Sequence, residues 1–455
     1  MPDLKKRSGG FGARSAEPVP PPPPGLSARL TAAQALADIL ASGHAVEDRF
    51  AATRTSELDA RDRALARSIA TTALRHLGSI RARLAQGLEK GLPKKSGALE
   101  WHLVTAVAQI LFMDVPDRAA VDLAVHAVKR DPRSAAFAGL ANAVLRTIVR
   151  ANEAGEIVQD DPFVDTPQWL AVRWNKIYGE ETAQAIAAMH GQEPTLDLTV
   201  KSDAEGWAQR LGGIALPTGS VRLSTHAPIE TLAGYADGEW WVQDAAAALP
   251  ARLLGVAVGE RVADLCAAPG GKTAQLALHG AHVVALDRSA ERMKRVAENL
   301  TRLGLSAELH IGDALSFDAA PFDAILLDAP CSSTGTIRRH PDVAWTKRIS
   351  DITALATLQA KMLDRACGLL KPGGRLVYCT CSLEPEEGEQ HIAALLRRNP
   401  DMLRAPVTAD EIGGLAECIN ADGEVRTLPS HLPHADKRMA GLDGFFAVRL
   451  QRRPS

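Results

Sequence analysis

Apolar residues recur at three- and four-residue intervals through the first third of the chain. Two sets show this spacing: Leu103, Val107, Ile110 and Leu111, and then Phe137, Leu140, Val144 and Ile148. Residues spaced in this way lie on one face of an α-helix. Strand-type patterns are missing from the sequence before residue 150. The pattern therefore predicts an all-α domain of five to seven helices over residues 26–150.

The pattern is mixed between residues 167 and 241. Helices are predicted at 168–178, 182–189 and 204–211, and short strands at 196–201, 221–224 and 240–242. We interpret residues 167–241 as a small α+β module. The acidic stretch 151–166 has few large apolar side chains and is predicted to be a linker. Residues 1–25, which include the run Pro20 to Pro24, are predicted to be a disordered tail because they cannot bury a core.

Strand and helix patterns alternate from about residue 245 onward. The predicted strands are 262–266, 282–286, 307–310, 324–327, 375–380 and 445–450, and the predicted helices are 273–278, 290–303, 352–369 and 386–398. Alternation of this kind builds a parallel sheet with helices on both faces. Residues 242–455 are therefore predicted to form an α/β domain, whose ligands bind where the strands end.

Charge is divided unevenly along the 455 residues. The net charge is −2, but residues 1–150 carry 22 Lys and Arg against 14 Asp and Glu, whereas the rest carries 30 against 40. A basic front part favours an anionic partner such as nucleic acid. The alternative interpretation is a fluctuation between solvated faces.

Six cysteines in a chain of this length do not make a disulfide scaffold. The basic first residues are not followed by an apolar segment, which argues against a secretory signal. No apolar run approaches the length that spans a bilayer. We therefore expect a cytoplasmic protein without membrane attachment, whose thiols are reduced.

A glycine loop follows the first predicted strand of the α/β domain. Its residues are Ala267, Ala268, Pro269, Gly270, Gly271, Lys272 and Thr273. Glycines let a ligand approach the backbone, and the helix that follows favours an anionic group at its N-terminus. A phosphate-binding P-loop would need Gly where the chain has Cys266, and G-x-G-x-x-G is also missing.

Two aspartates stand at the ends of the next two strands. Asp287 can accept hydrogen bonds from ribose hydroxyls, and Asp313 is placed to meet an adenine amino group. Either residue alone also suits a turn or helix cap. Together with the glycine loop, the two acids favour S-adenosylmethionine, with its adenosine held by the acids and its methionine end by the loop.

Thiols follow two further strands. Cys331 follows the fourth strand, and Cys379 and Cys381 stand at the end of the fifth. A thiolate that adds to carbon 6 of cytosine makes carbon 5 nucleophilic toward a methyl sulfonium. Asp328 is the candidate to donate a hydrogen bond to ring N3 if it is protonated. Cys379 and Cys381 share one face of a strand, so pattern alone does not choose between them, although position at the strand exit favours Cys381.

The sequence gives weaker support for other functions of the cysteines. Cys266 and Cys367 are expected to pack, because cysteine is among the most buried residue types. A metal site at Cys379 and Cys381 is not expected, since no second Cys/His pair with ligand spacing accompanies them.

Several stretches carry a family resemblance. Residues 264–273 (DLCAAPGGKT), 328–335 (DAPCSSTG) and 380–382 (TCS) resemble the RNA cytosine-5 methyltransferases of the Sun/Nop family. Residues 337–345 (IRRHPDVAW), 443–446 (DGFF) and 241–244 (WVQD) look like the RsmB type of that family, which acts on bacterial small-subunit rRNA. The front domain is similar to the NusB-like domain of those enzymes, most clearly at 142–146 (NAVLR).

The resemblance implies a Rossmann-like class I methyltransferase domain, a small RNA-binding α+β module and an all-α NusB-like N-terminal domain. It implies methyl transfer from S-adenosylmethionine to carbon 5 of a cytosine in 16S rRNA. By position, Cys381 becomes the nucleophile and Cys331 the thiol that assists release of the methylated RNA. The implied cofactor contacts are Cys266, Ala267, Ala268, Pro269, Gly270, Gly271, Lys272, Asp287, Asp313 and Asp328. Cys379 departs from the family, where a small residue such as Ala is expected.

A cytosine must be unpaired or flipped out to expose carbons 5 and 6. Arg338, Arg339 and His340 are predicted to hold RNA phosphates beside the crevice, and the alternative is a solvated surface turn. Two other functions stay open at this point. One is the same chemistry on tRNA or another RNA, and the other is a non-catalytic NusB-like RNA-binding or antitermination factor. A monomer is expected.

Overall fold

The computed structural model describes residues 23–52, 58–157, 161–225 and 227–454. Residues 1–22 of the predicted tail lie outside this range. Three groups of elements follow one another along the chain, and they are helical, mixed and alternating as the sequence pattern predicts. No helix in the described ranges has both the length and the apolar character needed to cross a membrane.

Seven α-helices lie in the described residues between 26 and 153. They are α1 Leu26–Ser42, α2 Val46–Ala52, α3 Ala60–Arg75, α4 Leu77–Gly87, α5 Leu99–Phe112, α6 Asp117–Arg130 and α7 Ala138–Glu153. Helix α5 is the central one, because ten of its residues are buried and α1, α3, α4, α6 and α7 all pack against it. Leu140 is the exception on the predicted apolar faces, since it is 36% exposed.

The second half of the predicted linker is packed against helix α4. Asp165 accepts hydrogen bonds from the backbone N–H of Ser79 at 2.7 Å and from its hydroxyl at 2.8 Å. Gly78 lies directly below, where a Cβ would come 1.7 Å from the carbonyl oxygen of Val164. Residues 161–166 thus adopt an ordered path that depends on one glycine and one carboxylate.

The mixed segment contains two helices and then a small sheet with a third helix. Its elements are α8 Gln168–Tyr178, α9 Glu180–His190, β1 Leu196–Val200, α10 Ala204–Leu211, β2 Ile214–Ala215, β3 Val221–Leu223 and β4 Trp240–Val242. The sheet has the order β2-β3-β1-β4 and is antiparallel. Trp174 of α8 packs with Ile337 and Leu383 instead of with this sheet, so the segment has two separate cores.

The alternating segment forms a larger sheet. Its elements are α11 Leu249–Leu253, β5 Arg261–Leu265, α12 Gly271–Leu278, β6 His282–Asp287, α13 Ala290–Arg302, β7 Glu308–Ile311, β8 Phe322–Asp328, α14 Asp342–Thr346, α15 Ile349–Leu369, β9 Leu370–Thr380, α16 Glu389–Arg398, β10 Met402–Arg404, β11 Val425–Thr427 and β12 Phe445–Arg452. The strand order is β10-β12-β9-β8-β5-β6-β7, and β11 pairs with β12. Strands β5 to β9 run parallel, and apolar clusters cover both faces of the sheet.

The last strand does not continue the parallel pattern. Strand β12 pairs antiparallel with β9 and β10, so the predicted all-parallel sheet is wrong at this edge. For β10 and β12 the reason lies in the segment that connects them. Parallel neighbours need a crossover connection, and this segment contains no α-helix. The α/β fold class, with a helical front part and a Rossmann-like sheet, is confirmed.

Candidate active site

A cavity of about 320 Å³ opens where strands β5, β6, β7, β8 and β9 end. Seven residues singled out from the sequence line it: Cys266, Ala268, Asp287, Asp313, Asp328, Cys331 and Cys381. They come from five separate strand ends spread over more than a hundred residues. The parallel topology brings these ends to one edge of the sheet, which is where ligands of such folds bind.

Two residues, one directly before the glycine loop and one within it, have left-handed backbone conformation. Cys266 has φ 66° and Gly270, which precedes helix α12, has φ 101°. The Thr273 hydroxyl in the first turn of helix α12 donates a hydrogen bond to Asp264 of strand β5 at 2.5 Å, which links the helix to the strand. Burial raises the pKa of Asp264 to about 7. The buried carboxyl group of Asp264, which the sequence analysis missed, therefore stabilises the loop.

Asp287 joins the loop to the neighbouring strand. Its carboxylate accepts from the backbone N–H of Ala268 at 3.2 Å and from that of Ser289 at 2.9 Å. Asp313 is exposed at the rim and accepts from the N–H of Leu315 at 2.9 Å. Both acids therefore line the cavity, Asp287 as a buried and immobilised group and Asp313 as an accessible one.

A second cavity of about 450 Å³ lies on the other side of the glycine loop. Of the predicted cofactor contacts, Ala267, Pro269, Gly270, Gly271 and Lys272 line only this second cavity, whereas Ala268 and Asp328 line both. Lys272 Nζ lies 2.7 Å from Oδ2 of Asp328. Burial alone would lower the pKa of Lys272, but the charge of Asp328, the hydrogen bond to it and the neighbouring Cys379 and Cys381 together raise that pKa. The pair thus forms the partition between the two cavities.

The thiols of Cys331 and Cys381 are in contact, with their sulfur atoms 3.5 Å apart. Ser333 lies beside both, and its hydroxyl oxygen accepts from Cys381 at 3.6 Å. The hydrogen bond with Cys381, together with burial, raises the pKa of Cys331 well above its ordinary value. Cys331 is thereby kept in its protonated thiol form next to Cys381.

Cys379 occupies a different place from Cys381. It is fully buried in the core, and its thiol donates to Oδ1 of Asp328 at 3.5 Å. Burial and the charge of Asp328 raise the pKa of Cys379 well above its usual range. Strand β9 ends at Thr380, so Cys381 lies beyond the last strand residue and turns into the first cavity. Of these two sulfurs, Cys381 therefore lines the first cavity and Cys379 does not.

Comparison with known proteins identifies the chain. Residues 251–451 match the family model described as 16S rRNA methyltransferase RsmB/F, and residues 26–150 match the NusB family. The ribosomal RNA small subunit methyltransferase B of Klebsiella pneumoniae is 36% identical over 83% of this chain and 91% of its own length. That of Pseudomonas syringae is 36% identical over 93% of this chain and 97% of its own. The chain belongs to the RsmB/F family of 16S rRNA methyltransferases.

Solved structures agree with this RsmB/F assignment at the level of the fold. The crystal structure of PH0851 has a TM-score of 0.70, 24% sequence identity, and covers 95% of this chain and 100% of its own. A methyltransferase homolog protein from Pyrococcus horikoshii has a TM-score of 0.52 and 27% identity, and covers 63% of this chain and 95% of its own.

As a methyltransferase of the RsmB/F family, the chain uses S-adenosylmethionine as methyl donor. Carboxylates and apolar side chains line the first cavity together: Asp287, Asp313, Asp328, Leu286, Leu358 and Met362. Apolar walls suit the adenine ring, and carboxylates suit a ligand that carries a sulfonium and an ammonium group. The residues present therefore fit the cofactor.

The structure corrects one predicted RNA contact in this RsmB/F chain. The Arg338 side chain is only 2% exposed and pairs with Asp443 at 2.6 Å and Asp244 at 2.9 Å. Arg339 binds the same two carboxylates and is 20% exposed. Arg338 is thus a buried ion-pair residue, and the prediction that it holds phosphates is wrong. Sequence pattern could not show this, because both carboxylates come from distant segments.

His340 is the most exposed member of this group, with 42% of its side chain exposed, and its Nδ1 lies 3.9 Å from Oε1 of Glu47. It lines the second cavity together with Arg339. Its role in RNA contact stays a prediction. Two further residues of the site were missed, namely Asp264 and Glu387. Their signals were present, since Asp264 begins the first family stretch and Glu387 follows residues 380–382 closely.

Proposed function

We propose that this chain transfers a methyl group to carbon 5 of a cytosine in 16S rRNA through a transient bond between Cys381 and carbon 6. The observation that carries the proposal is the pair of sulfurs 3.5 Å apart on the wall of the cofactor-sized cavity. S-adenosylmethionine supplies an electrophilic methyl group. Unactivated carbon 5 is too poor a nucleophile to accept it, and addition of a thiolate to carbon 6 overcomes this.

The two thiols have different tasks in this proposal. Cys381 adds to carbon 6, and carbon 5 then takes the methyl group. A base removes the proton from carbon 5, and the bond between carbon 6 and sulfur breaks by elimination. Cys331 has a raised pKa and stays protonated, so it donates a hydrogen bond to the sulfur of Cys381 and stabilises the leaving thiolate. Without Cys331 the elimination is slow.

Asp328 and Lys272 are proposed to act on the cytosine ring. Attack at carbon 6 is easier when N3 receives a hydrogen bond, because the ring then accepts electron density. Asp328 lines the cavity with 31% of its side chain exposed and lies 2.7 Å from the Lys272 ammonium. The pair holds a proton that can be presented to N3. Asp328 therefore keeps the two proposed duties, toward the cofactor and toward the base.

The relatives' names favour 16S rRNA over tRNA as the substrate. The target nucleotide must leave its helix to reach Cys381, and His340 on the rim is placed to contact its flanking phosphate. The NusB-like residues 26–150 are proposed to bind RNA as well. A purely non-catalytic role is set aside, because the chain is a member of a methyltransferase family.

A denaturing gel tests the covalent step. Cys331→Ala, incubated with 16S rRNA and S-adenosylmethionine, is expected to accumulate a slowly migrating protein–RNA adduct. Cys381→Ala and the double variant are expected to give neither adduct nor methylation. Cys367→Ala is the matched control, since Cys367 is buried in the core and does not line the cavity. An adduct in Cys381→Ala with none in Cys331→Ala would exchange the two roles.

Bisulfite sequencing tests the substrate. RNA from a strain that lacks this gene is compared with RNA from its parent, and one cytosine of 16S rRNA is expected to lose its methyl group. Return of the signal with the intact gene, but not with the Cys381→Ala form, ties the modification to this site. A loss confined to tRNA would replace the proposed substrate.

A further inference from the structure

A buried carboxylate lies beneath both cysteine loops. Glu387 ends the 3-10 helix Pro385–Glu387 and is completely buried. Its Oε1 accepts from the backbone N–H of Ser332 at 2.9 Å and from the Gln359 amide at 3.1 Å. Its Oε2 accepts from the Ser382 hydroxyl at 2.5 Å and from the Ser332 hydroxyl. Four donors therefore converge on one side chain.

The partners of Glu387 are the immediate neighbours of the two thiols. Ser332 follows Cys331 in the loop after β8, and Ser382 follows Cys381 in the loop after β9. The two loops are fifty residues apart along the chain, and Glu387 bonds to the same position in each. A single carboxylate thus bridges the two loops, which also bond to each other directly through the Ser332 and Ser382 hydroxyls at 3.0 Å and from the Gly335 N–H to the Cys381 carbonyl oxygen at 3.0 Å.

Glu387 is itself held firmly. Its carbonyl oxygen accepts from the Tyr378 hydroxyl at 2.9 Å and from the Thr380 hydroxyl at 3.1 Å. Both donors belong to β9, the strand that leads to Cys381. The backbone of Glu387 is therefore anchored to the strand that leads to Cys381.

Among the described residues Glu387 has no ion-pair partner, and the nearby Arg426 guanidinium instead donates to the Ser382 carbonyl oxygen. Within the described parts of the chain no Lys, Arg or His lies within ion-pair distance of it, and each of its four donors is a neutral amide or hydroxyl. An uncompensated negative charge in a low-dielectric interior acts strongly on nearby titrating groups. After the Cys381 hydrogen bond and burial, the Glu387 charge is a further cause that raises the pKa of Cys331.

We infer that Glu387 is a positioning residue of the thiol pair: it helps to fix the contact between Cys331 and Cys381, and its charge adds electrostatic repulsion that favours the thiol form of Cys331. The catalytic meaning of this arrangement rests on the proposed function. The claim about the position and the protonation of the sulfurs does not rest on the proposed function, because it concerns only the two sulfurs and the carboxylate.

Alkylation of Cys331 tests the electrostatic claim. Peptide-resolved mass spectrometry follows its reaction with iodoacetamide across pH in the full chain, without RNA or methyl donor. Glu387→Gln retains the shape and removes the charge, so the profile is expected to move to lower pH by about one unit or more. Glu386→Gln is the matched control, since Glu386 lies next in the same turn but pairs with Arg173 at the surface. An unchanged Cys331 profile in Glu387→Gln would overturn the inference.

Single-turnover methyl transfer tests the positional claim. Glu387→Gln is expected to slow the step by about tenfold or more at saturating RNA and methyl donor, with both binding constants unchanged. Glu387→Asp retains the charge but is shorter, so it should keep the parental alkylation profile and still react slowly. If Glu387→Gln does not fold, Ser382→Ala removes one donor and carries the same kinetic test. Normal methyl-transfer rates in these variants would contradict the inference. If the Cys331 alkylation profile shifts in Glu387→Gln but the parent protein does not methylate RNA, only the proposed function is refuted.

Discussion

Lys272 Nζ lies 2.7 Å from Oδ2 of Asp328, which connects the glycine loop after β5 with the end of β8. The same aspartate accepts the Cys379 thiol at its other oxygen. An ammonium, a carboxylate and a buried thiol therefore meet between the two cavities. The glycine loop thus contributes a side chain to the proposed reaction centre as well as backbone to the proposed cofactor site.

Lys272→Met is expected to reduce the methyl-transfer rate by roughly 100-fold or more, because Asp328 loses its proton-bearing partner. RNA binding should stay near the parental level, and single-turnover assays with a separate binding measurement check both points. Lys371→Met is the matched control, since Lys371 also pairs with an aspartate at 2.7 Å but at the opposite end of β8. An equal loss in the control would show that the effect is structural.

Arg338→Met is expected to destabilise the protein by about 3–5 kcal/mol, since it leaves the buried carboxylates of Asp244 and Asp443 without one of their cations. Urea unfolding followed by tryptophan fluorescence measures the change. Arg295→Met removes an exposed helix pair and should leave the unfolding midpoint in place. If Arg338→Met weakened RNA binding with unchanged stability, the rejected phosphate role would be restored.

Gly78→Ala is expected to displace residues 161–166 from helix α4, because the new methyl group would meet the Val164 carbonyl oxygen. A loss of stability of about 1–3 kcal/mol is expected from this overlap, with faster limited proteolysis near residue 160. Gly139→Ala is the control, since nothing lies within 4 Å of a Cβ there and the position is helical. That change should be neutral or slightly stabilising.

The pKa of Asp264 predicts how stability depends on pH. Burial raises this pKa from 3.8 to about 7, so the folded chain binds a proton that the unfolded chain has already lost. The contribution is fully present below pH 3.8 and is lost as the pH rises to about 7, with a slope of up to about 1.4 kcal/mol per pH unit. Urea unfolding at several pH values should show this slope in the parent and a flatter dependence in Asp264→Asn. Identical slopes would remove Asp264 as the cause.

The sequence by itself determined most of the local structure. Buried parallel strands appear as continuous apolar runs, so β5, β6, β8 and β9 were predicted within a few residues of their observed bounds. The glycine loop and the thiols stood directly after these strands. Because parallel strands end at a common edge, their convergence at that edge followed from local pattern and topology, although most of the glycine loop lines the second cavity and the thiols of Cys331 and Cys381 line the first.

Only the tertiary structure decided the remaining points, because each depends on groups far apart in the chain. Cys379 and Cys381 share a strand pattern, and the end of β9 sends one into the core and the other into the cavity. The sequence suggested a surface cation at Arg338, whereas in the structure Arg338 is buried in ion pairs with Asp244 and Asp443. Hydrophobic periodicity records which faces are buried, but it carries no information on which distant charge or hydroxyl a buried polar group will meet.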